Sequence, residues 1–115
     1  MDELTLEMYE RGQLFFDAGD YITAAQILED VVEAAPDTVA PRLLMARAFY
    51  HSAQLQRAES ALRGVIDRAP TDAYAHLMLG RTLQRQSRRD EARPFLKLAA
   101  VMSGDPDYEL MAMLA

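Results

Sequence analysis

Residues 12–36 read GQLFFDAGDYITAAQILEDVVEAAP, and the fold is decided there. Two amphipathic runs flank a Gly19-Asp20 turn, and Pro36-Asp37 closes the second run. The arrangement returns, diverged, further along the chain. Gly12, Ala46 and Gly80 stand at equal steps, and the same step separates Ala24, Ala58 and Ala92, and also Leu28, Leu62 and Leu96. Pro36 and Pro70 keep it too. Small and apolar slots sharing one period, of about 34 residues, mark a repeat architecture in which each unit buries its apolar face against its neighbours.

Working outward, residues 3–17 place Leu4, Met8, Leu14 and Phe15 near one side at helical spacing, with Leu6, Tyr9 and Phe16 on a neighbouring side. This helix stops near Ala18-Gly19-Asp20, where glycine accepts a left-handed backbone. Asp20 is placed to cap the next helix, about 21–34, whose inner face carries Ala24, Ala25, Leu28, Val31 and Val32. Pro36 ends it. Pro41 suits the first turn of a helix over 40–52, with Leu44, Met45, Ala48 and Phe49 inward. Helix 55–68 offers Leu55, Ala58, Leu62, Val65 and Ile66, and Pro70 and Asp72 repeat the stop and the cap. Helix 73–86 turns Ala75, Leu79, Gly80 and Leu83 inward, and helix 89–102 turns Ala92, Phe95, Leu96 and Ala99. With Asp90 as its cap, Pro94 falls about one turn in, where a missing amide costs least. Residues 107–115 add a short helix whose Tyr108, Met111 and Leu114 cover the open end.

The chain has 115 residues, half of them hydrophobic and 26% charged, which suits one folded domain. It has no cysteine, which excludes disulfides, thiol nucleophiles and thiolate metal sites. MDELTLEMYE is acidic and amphipathic and lacks the basic start and apolar core of a secretory signal. No run approaches the roughly 18 apolar residues of a membrane span, so the expected setting is the cytoplasm, with no membrane partner. The net charge of −6 is uneven. Residues 1–38 carry ten acids and one base, Arg11, whereas residues 39–72 and 73–115 are mildly basic. Eleven of the twelve bases are arginine. Such asymmetry reads either as plain solubility or as a surface that steers a partner or a second copy.

Helix–turn–helix units of about 34 residues resemble the tetratricopeptide repeat. Gly12, Ala46 and Gly80 stand at its first small slot, and Ala24, Ala58 and Ala92 at its second. Tyr21 fills the aromatic slot that opens the second helix, and Pro36 and Pro70 fill the closing proline slot. Small residues let two helices approach closely while larger neighbours fill the gaps. There are departures. Met8, Arg42 and His76 stand where a Trp is frequent, and Gly104 stands where the third closing proline is expected. The resemblance implies an all-α, right-handed superhelical solenoid. Its three units are about 5–38, 39–72 and 73–106, with a capping helix at 107–115.

The resemblance also implies a function: holding an extended peptide or helix of another protein in a concave groove lined by the first helix of each unit. Carried over in phase, the lining is Leu6, Tyr9, Gln13, Phe16 and Asp17, then Leu43, Arg47, Tyr50 and His51, then Tyr74, Leu77, Arg81, Gln84 and Arg85. Aromatic residues and arginine are the types enriched at binding hot spots, so the expected ligand carries apolar side chains and at least one acidic group. Members that seize the acidic tail of heat-shock chaperones use a Lys/Asn/Arg clamp. The matching slots hold Tyr9, Gln13, Leu44, Tyr74 and Met78, which argues against that specialisation.

Other classes fit less well. His51 and His76 have no ligand-spaced partner on their own helices, and no nucleophile motif or phosphate loop exists. No catalytic residue, metal or cofactor is therefore expected. The cluster Arg85, Arg88, Arg89, Arg93 and Lys97 is interrupted by Asp90 and Glu91, and the chain's acidity opposes nucleic acid. The main alternative is a self-assembling homo-oligomer joined through its chain ends, with Met111, Met113 and Leu114 as the apolar contact.

Overall fold

The computed structural model describes residues 1–113, with every element an α-helix; Leu114 and Ala115 of the expected cap lie outside the described residues. The helices are α1 (Glu3–Asp17), α2 (Tyr21–Ala34), α3 (Val39–His51), α4 (Leu55–Arg68), α5 (Ala73–Arg85), α6 (Arg89–Ser103) and α7 (Pro106–Met113). Each packs on the next in chain order, giving a helical solenoid 43 Å long and 24 by 21 Å across.

The helix ends follow from local chemistry. Asp2, Asp20 and Asp72 accept from the amides of Thr5, Thr23 and Ala75, at 2.7, 3.1 and 3.0 Å, and so satisfy donors with no partner inside the helix. The turns inside the three helix pairs share one geometry. Asp20, Gln54 and Arg88 donate backwards to the carbonyls of Phe15, Phe49 and Leu83, at 2.9, 2.8 and 2.9 Å. Gly19, Ala53 and Ser87, again one repeat apart, hold the left-handed position with φ of 81°, 60° and 61°. This is the Schellman arrangement. Only the first turn places a glycine there, so Ala53 and Ser87 adopt a conformation that costs an L side chain about 1–2 kcal/mol.

Close approach between paired helices is visible at the small slots. A Cβ on Gly12 would stand 2.8 Å from Leu28 Cδ2, and one on Gly80 would stand 2.5 Å from Leu96 Cδ2. Both leucines are fully buried, as are Ala24, Ala46, Ala58 and Ala92. The expected inner faces of α2, α4, α5 and α6 form one continuous core, with Leu44, Leu55, Ile66 and Phe95 only half-buried at its margins.

Three features differ from the sequence expectation. In α1, Leu4 and Leu14 are 68% and 69% exposed, and Thr5 and Gly12 are buried instead. Helix α1 packs on α2 and only slightly on α3, so the side bearing Leu4 and Leu14 stays in solvent. In α5, burial extends to His76, Leu77, Met78 and Thr82. His76 Nδ1 lies 2.9 Å from the Asp72 carbonyl. That oxygen can only accept, so Nδ1 carries the proton. Asp90 is not the cap of α6. The cap is Arg88, with no side-chain bond, which puts Pro94 at the sixth helical position and leaves the Asp90 carbonyl without its usual donor.

The second and third pairs are joined by Glu59 of α4. Its carboxylate accepts from Arg88 at 2.6 Å, Gln86 at 3.1 Å and Arg63 at 3.1 Å. Burial alone would raise its pKa, but these donors, Arg88 foremost, hold the carboxyl below its ordinary range.

Candidate functional site

The carried-over lining positions fall on α1, α3 and α5 and meet across the helix boundaries. Phe16 packs edge-on against Tyr21, with ring centroids 5.1 Å apart, and lies 5.9 Å from His51. Tyr21 stacks on His51 at 4.7 Å. The Arg47 guanidinium stands 4.8 Å above the Phe16 ring and 5.9 Å from Tyr74, so one α3 side chain touches rings contributed by α1 and α5. Arg85 lies 4.6 Å from the Tyr50 ring and donates to the Tyr50 carbonyl at 2.9 Å. The outcome is a ladder of rings, Phe16, Tyr21, His51 and Tyr50, with the Arg47 and Arg85 guanidiniums over the rings at its two ends, where the cation faces the electron-rich ring surface.

Two clefts open along this ladder. One, of about 680 Å³, lies between α1 and α3 and is lined by Tyr9, Glu10, Gln13, Phe16, Asp17, Leu43, Leu44 and Arg47, among others. The second, of about 430 Å³, is lined by Tyr50, Arg81, Gln84, Arg85 and Arg89. Leu6 is 43% exposed and lines neither. Leu77 is 4% exposed and offers no surface to a ligand. Glu10, Leu14, Ala40, Leu44 and Arg89 join the clefts without having been expected there. Glu10 and Leu44 share one repeat phase, directly beside the phase of Tyr9 and Leu43. Arg89 comes from the start of α6, off the phase of the first helices, and no periodic signal marks it.

The charges differ in how they are matched. Among the described residues, no carboxylate lies within ion-pair distance of Arg47, Arg81 or Arg85. The Arg47 Nε is buried and has no hydrogen-bond partner. By contrast Arg57, Arg63, Arg88 and Arg93 pair with Glu29, Glu59, Glu59 and Asp90. His51 sits amid the unmatched group. Burial against its neighbours, then Arg47, Arg85 and Arg81, holds its pKa below the ordinary histidine range. Among the described residues no group of three His, Asp or Glu side chains could share a metal ion, and no helix is long and apolar enough to cross a membrane.

A family model described as tetratricopeptide repeat matches residues 15–77 and 52–114. No curated protein matches by sequence. Several solved structures share the fold. YrrB, described as a TPR protein with an unusual peptide-binding site, superposes with a TM-score of 0.90 at 21% identity, covering 100% of this chain and 59% of that one. The Arabidopsis OM64 TPR domain gives 0.88 at 18% identity, over 96% and 91% of the two chains. The first TPR of Spaghetti (RPAP3), bound to the HSP90 peptide SRMEEVD, gives 0.83 at 18% identity, over 88% and 80%.

Proposed function

The chain belongs to the tetratricopeptide repeat family, and on that footing we propose that it is a non-enzymatic adaptor that holds a segment of a partner protein along α1, α3 and α5. The observation that carries the reading is the pair Arg47 and Arg81. Arg47 stands over Phe16 and near Tyr74, Arg81 lines the far cleft with Tyr50, and among the described residues neither has a carboxylate of its own chain in reach. A cation beside apolar rings gains most from a ligand that supplies both an acid and an apolar side chain. One fold relative holds a peptide with acidic and apolar residues, SRMEEVD, and another is described as having a peptide-binding site. The slots of a heat-shock-tail clamp are poorly equipped here, since Met78 is buried and Leu44 is apolar, so the proposed ligand is of another kind. A cytoplasmic setting belongs to the proposal and suits a chain without cysteine.

A pull-down from a lysate of the protein's own cell, parent against Tyr50→Ala/Arg81→Glu, tests this. Intact helicity by circular dichroism is the control. A protein retained by the parent and lost by the variant supports the groove. Equal retention by both, or none by either, overturns it.

A second reading has one observation in its favour. Lys97, Ala100, Val101, Glu109, Ala112 and Met113 line an apolar cleft of about 470 Å³ between α6 and α7, where Val101 and Met113 are 82% and 77% exposed. Self-association through this end would cover it. Attraction to the acidic first unit gives little help, because the end carries Asp105, Asp107 and Glu109, and Arg88 and Arg93 of the basic cluster are already paired. A mass of 12.9 kDa at every concentration in sedimentation would remove this reading.

A further inference from the structure

The groove is electrically graded along its length. At one repeat phase the three units place Asp17, His51 and Arg85, and at another Gln13, Arg47 and Arg81. Each series runs from acidic or neutral at α1 to cationic at α5. The clefts follow the same order. The α1–α3 cleft sets Glu10 and Asp17 on its α1 wall against Arg47 on its α3 wall, and the far cleft has only cations, Arg81, Arg85 and Arg89, as its charged lining. Among the described residues neither Glu10 nor Asp17 is in an ion pair. Phe16 and Leu43 line the first cleft, Tyr50 lines the second and Tyr74 lies near Arg47, all half-buried.

We infer that the groove reads a charge-segregated protein segment, with carboxylates held by Arg47 of α3 and by Arg81 and Arg85 of α5, apolar side chains against the rings, and lysine or arginine against Glu10 and Asp17 of α1. The inference rests on the groove reading above and sharpens it. A uniformly acidic segment would set its own carboxylates against Glu10 and Asp17, and like charges brought together at an interface are strongly disfavoured. A uniformly basic one meets the same obstacle at α5. The gradient therefore selects both composition and direction of the bound chain.

The probe is a phage-displayed library of random dodecapeptides, selected on the full chain. Twelve extended residues reach about 40 Å, close to the 43 Å long axis. Enriched peptides are expected to carry Asp or Glu in one half and Lys or Arg in the other, around aromatic or aliphatic residues. A synthetic version of one such peptide should lose at least about ten-fold in affinity to Arg81→Glu/Arg85→Glu. Reversing the peptide's acids to lysine should restore it. Glu10→Lys/Asp17→Lys should show the mirror behaviour. All four positions are exposed, and circular dichroism confirms folding. Enriched peptides that need Arg47 and Tyr50 but show no charge segregation overturn this inference and leave the groove standing. Peptides indifferent to Tyr50→Ala/Arg47→Ala, or no enrichment, overturn both.

Discussion

On the side of the solenoid built from α2, α4 and α6 and the turn before α6, four arginines are paired with carboxylates, and Arg68 donates to the Pro36 and Gly64 carbonyls. Arg57 meets Glu29, Arg63 and Arg88 meet Glu59, and Arg93 meets Asp90. On the side built from α1, α3 and α5, Arg47 and Arg81 meet no acid among the described residues, and Arg47 lies against rings instead. The two sides use the same residue type to different ends. A guanidinium already bonded to carboxylates joins helices together. Arg57 and Arg63 also lie over rings, Phe49 and Phe95, but a guanidinium that meets rings and no carboxylate retains its donors for a ligand that arrives later.

The largest expected effect tests this contrast directly. Arg47→Glu/Arg81→Glu should weaken a selected acid-bearing peptide by about 100-fold, the loss of two charge-assisted contacts, as read by fluorescence anisotropy. The outer pair Arg57→Glu/Arg63→Glu should change affinity by less than about two-fold. Similar losses from both would erase the distinction between the faces.

Next come the contacts beneath both faces. Ala58→Leu and Gly80→Leu should each cost about 1–3 kcal/mol by overpacking, measured by urea denaturation. At Gly80 a Cβ alone already meets Leu96 at 2.5 Å. Parental midpoints in both would refute the close approach of the paired helices. A smaller change of opposite sign is expected at the turns. Ala53→Gly and Ser87→Gly should each stabilise by about 0.5–1 kcal/mol, because the strain of a left-handed side chain exceeds the added freedom of the unfolded glycine.

The smallest effect concerns pH. The folded-state pKa of His51 is depressed, by burial first and then by Arg47, Arg85 and Arg81, so the unfolded chain binds more protons just below neutrality. Its contribution to stability is present above the ordinary histidine pKa and is lost as pH falls through the lower folded value. The melting temperature should therefore drop between about pH 7.5 and 5.5, and less so in His51→Gln. An equal drop in both would show that His51 is not the responsible group.

The period made most of the fold legible. Gly12, Ala46 and Gly80, with their partners Ala24, Ala58 and Ala92, located the helix pairs, because close approach leaves few residue types to choose from. What stayed hidden depends on neighbours and not on local pattern. Nothing local marks Ala53 or Ser87 as left-handed; only their place one and two repeats after Gly19 connects them. The exposure of Leu4 and Leu14 and the burial of His76 and Leu77 follow from position in the stack, where α1 has one flank covered and α5 sits between others. At the candidate site, phase located Arg47, Tyr50 and Arg81, but not Arg89, which reaches the cleft from α6. Which arginines lack acids required three dimensions, since Glu59 meets Arg88 across 29 residues of chain.

The most direct measurement is an NMR titration of the ¹⁵N-labelled chain with a peptide taken from the library selection. Shift changes are predicted at Tyr9, Phe16, Arg47, Tyr50, Tyr74 and Arg81, on α1, α3 and α5, with α2, α4 and α6 unmoved on their outer faces. Changes concentrated instead on those outer faces, or on the cleft between α6 and α7, would contradict the assignment of the binding surface.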